Sequence, residues 1–132
     1  LNEIYWKKLE NKDSKTITTN KWLFNYQYAG IIAKAIPNAK IIHCYRNPLD
    51  NILSTYRAHF AIGNNFSSSL VDSAKVYSDQ DEIMRIYKKE FKNHIYSLNY
   101  DKLVHDPSNA IMQEYSLSDL ILPVFNIFPF HF

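Results

Sequence analysis

A chain of 132 residues holds one domain at most, and its 46% apolar content, with 10 Tyr, 8 Phe and 2 Trp, is enough for a real core. Charged residues at 21% argue against disorder, and a net charge of +2 without a Lys/Arg run argues against nucleic acid as a partner. A lone cysteine, Cys44, rules out an intrachain disulfide and fits a reducing, cytoplasmic compartment, while five scattered His with no i,i+4 pair predict no metal site.

Taken in chain order, Ile4, Tyr5, Trp6 and Leu9 among Lys and Glu predict a short amphipathic helix over residues 1–11. The β-branched run at 16–19 predicts a strand. Trp22, Leu23, Tyr26, Ala29, Gly30, Ala33 and Ile36 recur at three- and four-residue steps, so a helix is expected over 21–36, ended by Pro37-Asn38. The mostly apolar run at 39–45 suits a strand buried on both faces, with His43, Cys44 and Tyr45 in the core. Asn47-Pro48 pairs a capping side chain with a proline at the first helical position and opens a helix to about 60. After a turn at Gly63, Ser69 and Asp72 resemble a capping box and open a long helix to about 93, with Leu70, Ala74, Tyr77, Met84, Tyr87 and Phe91 as its apolar stripe. A third strand is expected over 95–100, and Asp106-Pro107 opens a last helix. Alternation of this kind predicts an α/β fold with a parallel sheet and helices on its faces. The apolar stretch at 120–130 holds two prolines and is about half the length of a membrane span, so none is expected.

Ligands of such sheets sit beyond the carboxyl ends of the strands. Asn20-Lys21, Tyr45-Arg46-Asn47-Pro48 and Tyr100-Asp101 follow the three strands. Arg46 leaves its strand where the next helix begins, and a helix N-terminus favours an anion. Its planar fork matches a phosphate, and Ser54, nearly two turns beyond the Asn47 cap, stands on the same face about 10 Å further along. Spacing alone leaves the plainer alternative open: a surface ion pair of Arg46 with Asp50, and a Ser54 that merely packs against the sheet.

The run from Pro37 to Ser54, with a strand, then Arg46-Asn47-Pro48-Leu49-Asp50 and Ser54 at fixed spacing, resembles the 3′-phosphate-binding segment of sulfotransferases, closest to the bacterial tetratricopeptide-associated and tyrosylprotein branches. The resemblance implies a three-layer, P-loop-like α/β fold. It also implies 3′-phosphoadenosine 5′-phosphosulfate (PAPS) as cofactor, adenosine 3′,5′-bisphosphate as its product form, and Arg46 and Ser54 as holders of the 3′-phosphate. The segment Asn20-Lys21-Trp22-Leu23 resembles the family stretch whose Lys lies near the transferred sulfuryl group, which implies a catalytic role for Lys21, although Leu23 stands where the family has Pro. The run from Tyr100 to Pro107 resembles the family stretch whose Tyr lies near the adenine, which implies that Tyr100 binds cofactor; a strand-end core Tyr is the alternative. The implied acceptor is a hydroxyl or amine on a protein tyrosine, a carbohydrate or a small molecule.

The similarity runs over about residues 3–115, so residues 1–116 are expected to form a partial sulfotransferase domain and 117–132 a divergent apolar tail. The family's Gly-rich phosphosulfate loop has no counterpart, since Gly30 and Gly63 are the only glycines and neither opens a phosphate loop. The chain is therefore expected to be a fragment, inactive in isolation. The alternatives are a non-catalytic remnant, an interaction module whose apolar tail docks on a partner, or another nucleotide enzyme such as a kinase, against which the absent GxxxxGK[ST] motif weighs.

Overall fold

The computed structural model describes residues 19–58, 60 and 63–112, the backbone of 124–127, and the isolated helical positions Glu3 and Lys7. The helix expected over 1–11 otherwise lies outside the described residues. The elements are strand β1 (Thr19–Lys21), a 3-10 helix (Leu23–Tyr28), helix α1 (Ala29–Ala35), strand β2 (Lys40–Tyr45), helix α2 (Pro48–Ala58), a second 3-10 turn (Asn65–Ser68), helix α3 (Leu70–Glu90), strand β3 (Ile95–Asn99), helices α4 (Tyr100–His105) and α5 (Pro107–Met112), and strand β4 (Val124–Ile127).

The strands form one parallel sheet in the order β1-β4-β2-β3. The parallel neighbours β2 and β3 need a long crossover, and α2 and α3 supply it. The chain is thus α/β with a small parallel sheet. β4, from the apolar segment after residue 116, is an inner strand: Val124 pairs with Thr19 on one side and with Lys40 on the other.

Two boundaries differ from expectation. The chain stays extended through Lys21, then tightens into a 3-10 turn, and the α-helix begins only at Ala29. Asn25 Nδ2 donates to Asn20 Oδ1 at 3.0 Å, a local side-chain bond that favours a turn over a helix start. Tyr100 is the first residue of α4 rather than the last of β3, because Asn99 Oδ1 accepts from Lys102 N at 3.0 Å and caps a helix there. The other caps follow the sequence. Ser69 accepts from Asp72 N at 3.2 Å at the start of α3, and Asp106 Oδ1 accepts from Asn109 N at 3.2 Å at the start of α5.

Tyr26, Ala29, Ala33, Ile36, Ala39, Ile41, Met84 and Ile95 make the apolar core, flanked by Phe24, Ile32, Ile83, Tyr87 and Phe91. Burial of each large side chain contributes about 1.5–3 kcal/mol. Gly30 is set by this packing: a Cβ there would stand 2.5 Å from a ring carbon of Tyr87. Gly63 is set by its backbone, with φ at 99° in the turn after α2. On α3 the buried positions are Ser73, Gln80 and Met84, whereas Leu70 is exposed. The helix is turned slightly from its apolar stripe, so two polar residues enter the interior near the carboxyl end of β2.

Candidate anion site at the carboxyl end of β2

β2 runs from an apolar start to a polar finish. Ile41 is fully buried in the core, and His43 and Cys44 are also buried. Tyr45, expected in the core, is exposed instead: it is the last residue of the strand, with its ring 6.3 Å from that of His43 and Lys88 Nζ 5.5 Å from its centroid. Burial drives the two interior groups toward their neutral forms. His43 is lowered to about 3, first by desolvation and second by Lys88, and desolvation raises the Cys44 thiol to about 12.

Arg46 follows the strand and Pro48 opens α2. Three partners surround the guanidinium: Asp101 Oδ1 lies 3.4 Å from Nε, Asp50 Oδ2 lies 3.7 Å from Nη2, and the Tyr100 ring centroid lies 5.4 Å from Cζ. Nε is buried, and its contact with Asp101 is an ion pair at a distance and angle that make no hydrogen bond. Tyr77 Oη, from α3, lies 3.5 Å from the Arg46 carbonyl. Burial and Asp81 raise the pKa of this phenol, which keeps its proton available for that carbonyl.

The N-terminus of α2 differs from expectation. Asn47 N donates to Asp101 Oδ2 and Leu49 N to Asn47 Oδ1, both at 3.0 Å, and Pro48 has no N–H. Its first amides are thus held by the protein's own oxygens, and an anion at this end would be held by side chains. Those side chains lie along α2. Arg46, Asp50, Leu53, Ser54, Arg57 and Ala58 line an open pocket of about 420 Å³. The steps 46, 50, 54, 57 follow helical spacing, so these groups share one face. The sequence reading placed Arg46 and Ser54 together but missed Arg57, whose signal was its position three residues after Ser54.

Lys21 and Tyr100 stand elsewhere. Tyr100 lies under Arg46 and does not line the pocket. Lys21 ends exposed β1, two strands from β2, level with Ile42 through Asn126. At about 4.8 Å per strand spacing and 3.3 Å per residue, its backbone is roughly 16 Å from that of Arg46. Beside the pocket, β2, α2 and α3 enclose buried His43, Asn51, Thr55, Ser73 and Gln80. Thr55 Oγ1 donates to Asn51 O at 2.9 Å and Ser73 Oγ to Phe66 O at 3.0 Å. His43 Nδ1 and Asn51 Nδ2 find no hydrogen-bond partner among the described residues.

The sequence matches the sulfotransferase family over residues 1–120, and the chain belongs to that family. A protein of Aquifex aeolicus (strain VF5), described as an uncharacterized protein, is 32% identical over 109 residues, which cover 80% of this chain and 14% of that relative. The chain thus spans about one seventh of the relative's length. No solved structure matches it. Among the described residues, no helix is long and apolar enough to cross a membrane.

Proposed function

We propose that this chain carries the 3′-phosphate-binding part of a PAPS-dependent sulfotransferase of the three-layer type, with Arg46 and Ser54 as the groups that hold the phosphate. The single observation that carries this reading is the pocket that Arg46, just after β2, shares with Ser54 on α2. The donor set suits a phosphate: a guanidinium fork and a hydroxyl lining one open pocket. The roughly 16 Å to Lys21 suits a role for that residue at the far end of an extended nucleotide, near the sulfuryl group. Tyr100, stacked on Arg46, would orient the guanidinium as well as border the nucleotide. Catalysis by such an enzyme rests on positioning and charge stabilisation while a sulfuryl group passes to a hydroxyl or amine.

A second reading, a non-catalytic remnant, is favoured by one observation: Arg46 already carries two carboxylates. Titration calorimetry with adenosine 3′,5′-bisphosphate separates the two. Two or three charged hydrogen bonds, less the cost of immobilising the ligand, predict a Kd near or weaker than about 1 mM, lost in Arg46→Ala, with no sulfate transfer by the chain alone. Micromolar binding that survives Arg46→Ala would place the phosphate elsewhere. Absence of any saturable binding would favour the remnant.

A further inference from the structure

Charge around Arg46 does not favour an anion. Its single positive charge faces Asp101 at 3.4 Å and Asp50 at 3.7 Å, so the group and its partners carry a net negative charge. Asp50 also lines the pocket, where it offsets Arg46. The first amides of α2 are spent on Asp101 and Asn47. A dianionic phosphate entering this pocket needs a further cation, and among the described residues one other charged residue lines it.

That residue is Arg57. It stands one turn beyond Ser54 on α2, about 4.5 Å further along the helix axis, and is exposed to the pocket's open side. Among the described residues Arg57 makes no ion pair, whereas Arg46 makes two. Resting on the phosphate-site reading above, we infer that Arg57 is the second cationic ligand of this pocket and the residue that selects a dianionic phosphate monoester. Arg46, turned by Asp50 and Asp101 and stacked on Tyr100, fixes one edge of the phosphate; Ser54 Oγ donates from the middle; Arg57 supplies the net positive charge.

The test compares adenosine 3′,5′-bisphosphate with adenosine 5′-monophosphate, which lacks the 3′-phosphate, by NMR titration of the wild type, Arg46→Gln, Arg57→Gln and Arg57→Lys. Arg85→Gln, an exposed arginine on α3 outside the pocket, controls for the loss of one charge. Circular dichroism checks that each variant is folded. The expected result is a wild-type preference for the bisphosphate that falls about tenfold in Arg46→Gln and in Arg57→Gln, is partly kept in Arg57→Lys, and is unchanged in Arg85→Gln. A preference lost in Arg46→Gln but kept in Arg57→Gln overturns the role of Arg57 and leaves the phosphate site standing. An equal loss in Arg85→Gln reduces Arg57 to a contributor of bulk charge and also overturns its role. A wild type that does not distinguish the two nucleotides overturns the phosphate site itself.

Discussion

The two ends of β2 are built from different materials. Around its first residues, Ile41 packs in an apolar cluster with Tyr26, Ala29, Ala33, Ile36, Met84 and Ile95. Around its last residues, His43, Asn51, Thr55, Ser73 and Gln80 are buried, two of their nitrogens have no hydrogen-bond partner among the described residues, and the strand ends at the Arg46 pocket. Each unsatisfied buried group costs about 1–3 kcal/mol, whereas each large apolar side chain at the other end contributes a similar amount. Stability is therefore concentrated at the amino end of the strand. The carboxyl end spends part of it to keep polar groups in place beside an anion pocket.

The strongest way to break this contrast is to cut into the apolar end. Met84→Ala, at a fully buried position, should lower unfolding free energy by about 2–5 kcal/mol in urea titration, while bisphosphate affinity per folded molecule stays as in the wild type. A comparable loss of affinity would show that the two ends are one cooperative unit. Gly30→Ala should cost about 1–3 kcal/mol, since its methyl group meets the Tyr87 ring. The cost should shrink in a Tyr87→Ala background; an undiminished cost would mean the ring is not the obstacle.

His43 sharpens the contrast through pH. Its folded pKa of about 3 lies below its ordinary value of 6.5, so between these values the unfolded chain binds a proton that the folded chain refuses. Stability should fall as pH drops from about 6.5 toward 3, by about 1.4 kcal/mol per pH unit from this residue. The contribution is fully present above 6.5. His43→Asn should flatten the slope measured by urea unfolding across that window; an unchanged slope would assign it to the carboxylates. The smallest effect concerns Cys44. Buried, with its pKa raised to about 12, it should react with a thiol reagent only through opening of the fold, at a rate that climbs with added urea. Rapid labelling of the native chain at neutral pH would contradict its burial.

Much of this was legible in the sequence where the cause is local. Asn47-Pro48, Ser69 with Asp72, and Asp106-Pro107 each mark a helix start, because a cap is decided by residues within one turn of it. The apolar run of β2 and the recurrence from Tyr26 to Ile36 identified the core elements for the same reason. Arg46 just after β2 and Ser54 on α2 line one pocket, as their spacing suggests. The capping of α4 by Asn99 is also local, but the stronger strand pattern of β3 masks it in the sequence.

What the sequence alone determined is the α/β alternation, the caps, and the candidate pairing of Arg46 with Ser54. The tertiary structure decided the rest. It put β4 between β1 and β2, which strand pattern cannot foretell because pairing partners lie about a hundred residues apart. It turned α3 so that Gln80 and Ser73 are buried in place of Leu70, since the face a helix buries is set by what it packs against. It brought Asp101, 55 residues from Arg46 in the chain, onto that guanidinium and onto the first amide of α2. Charge in a pocket is a sum over groups that only folding assembles, and that sum shifts attention from Arg46 to Arg57.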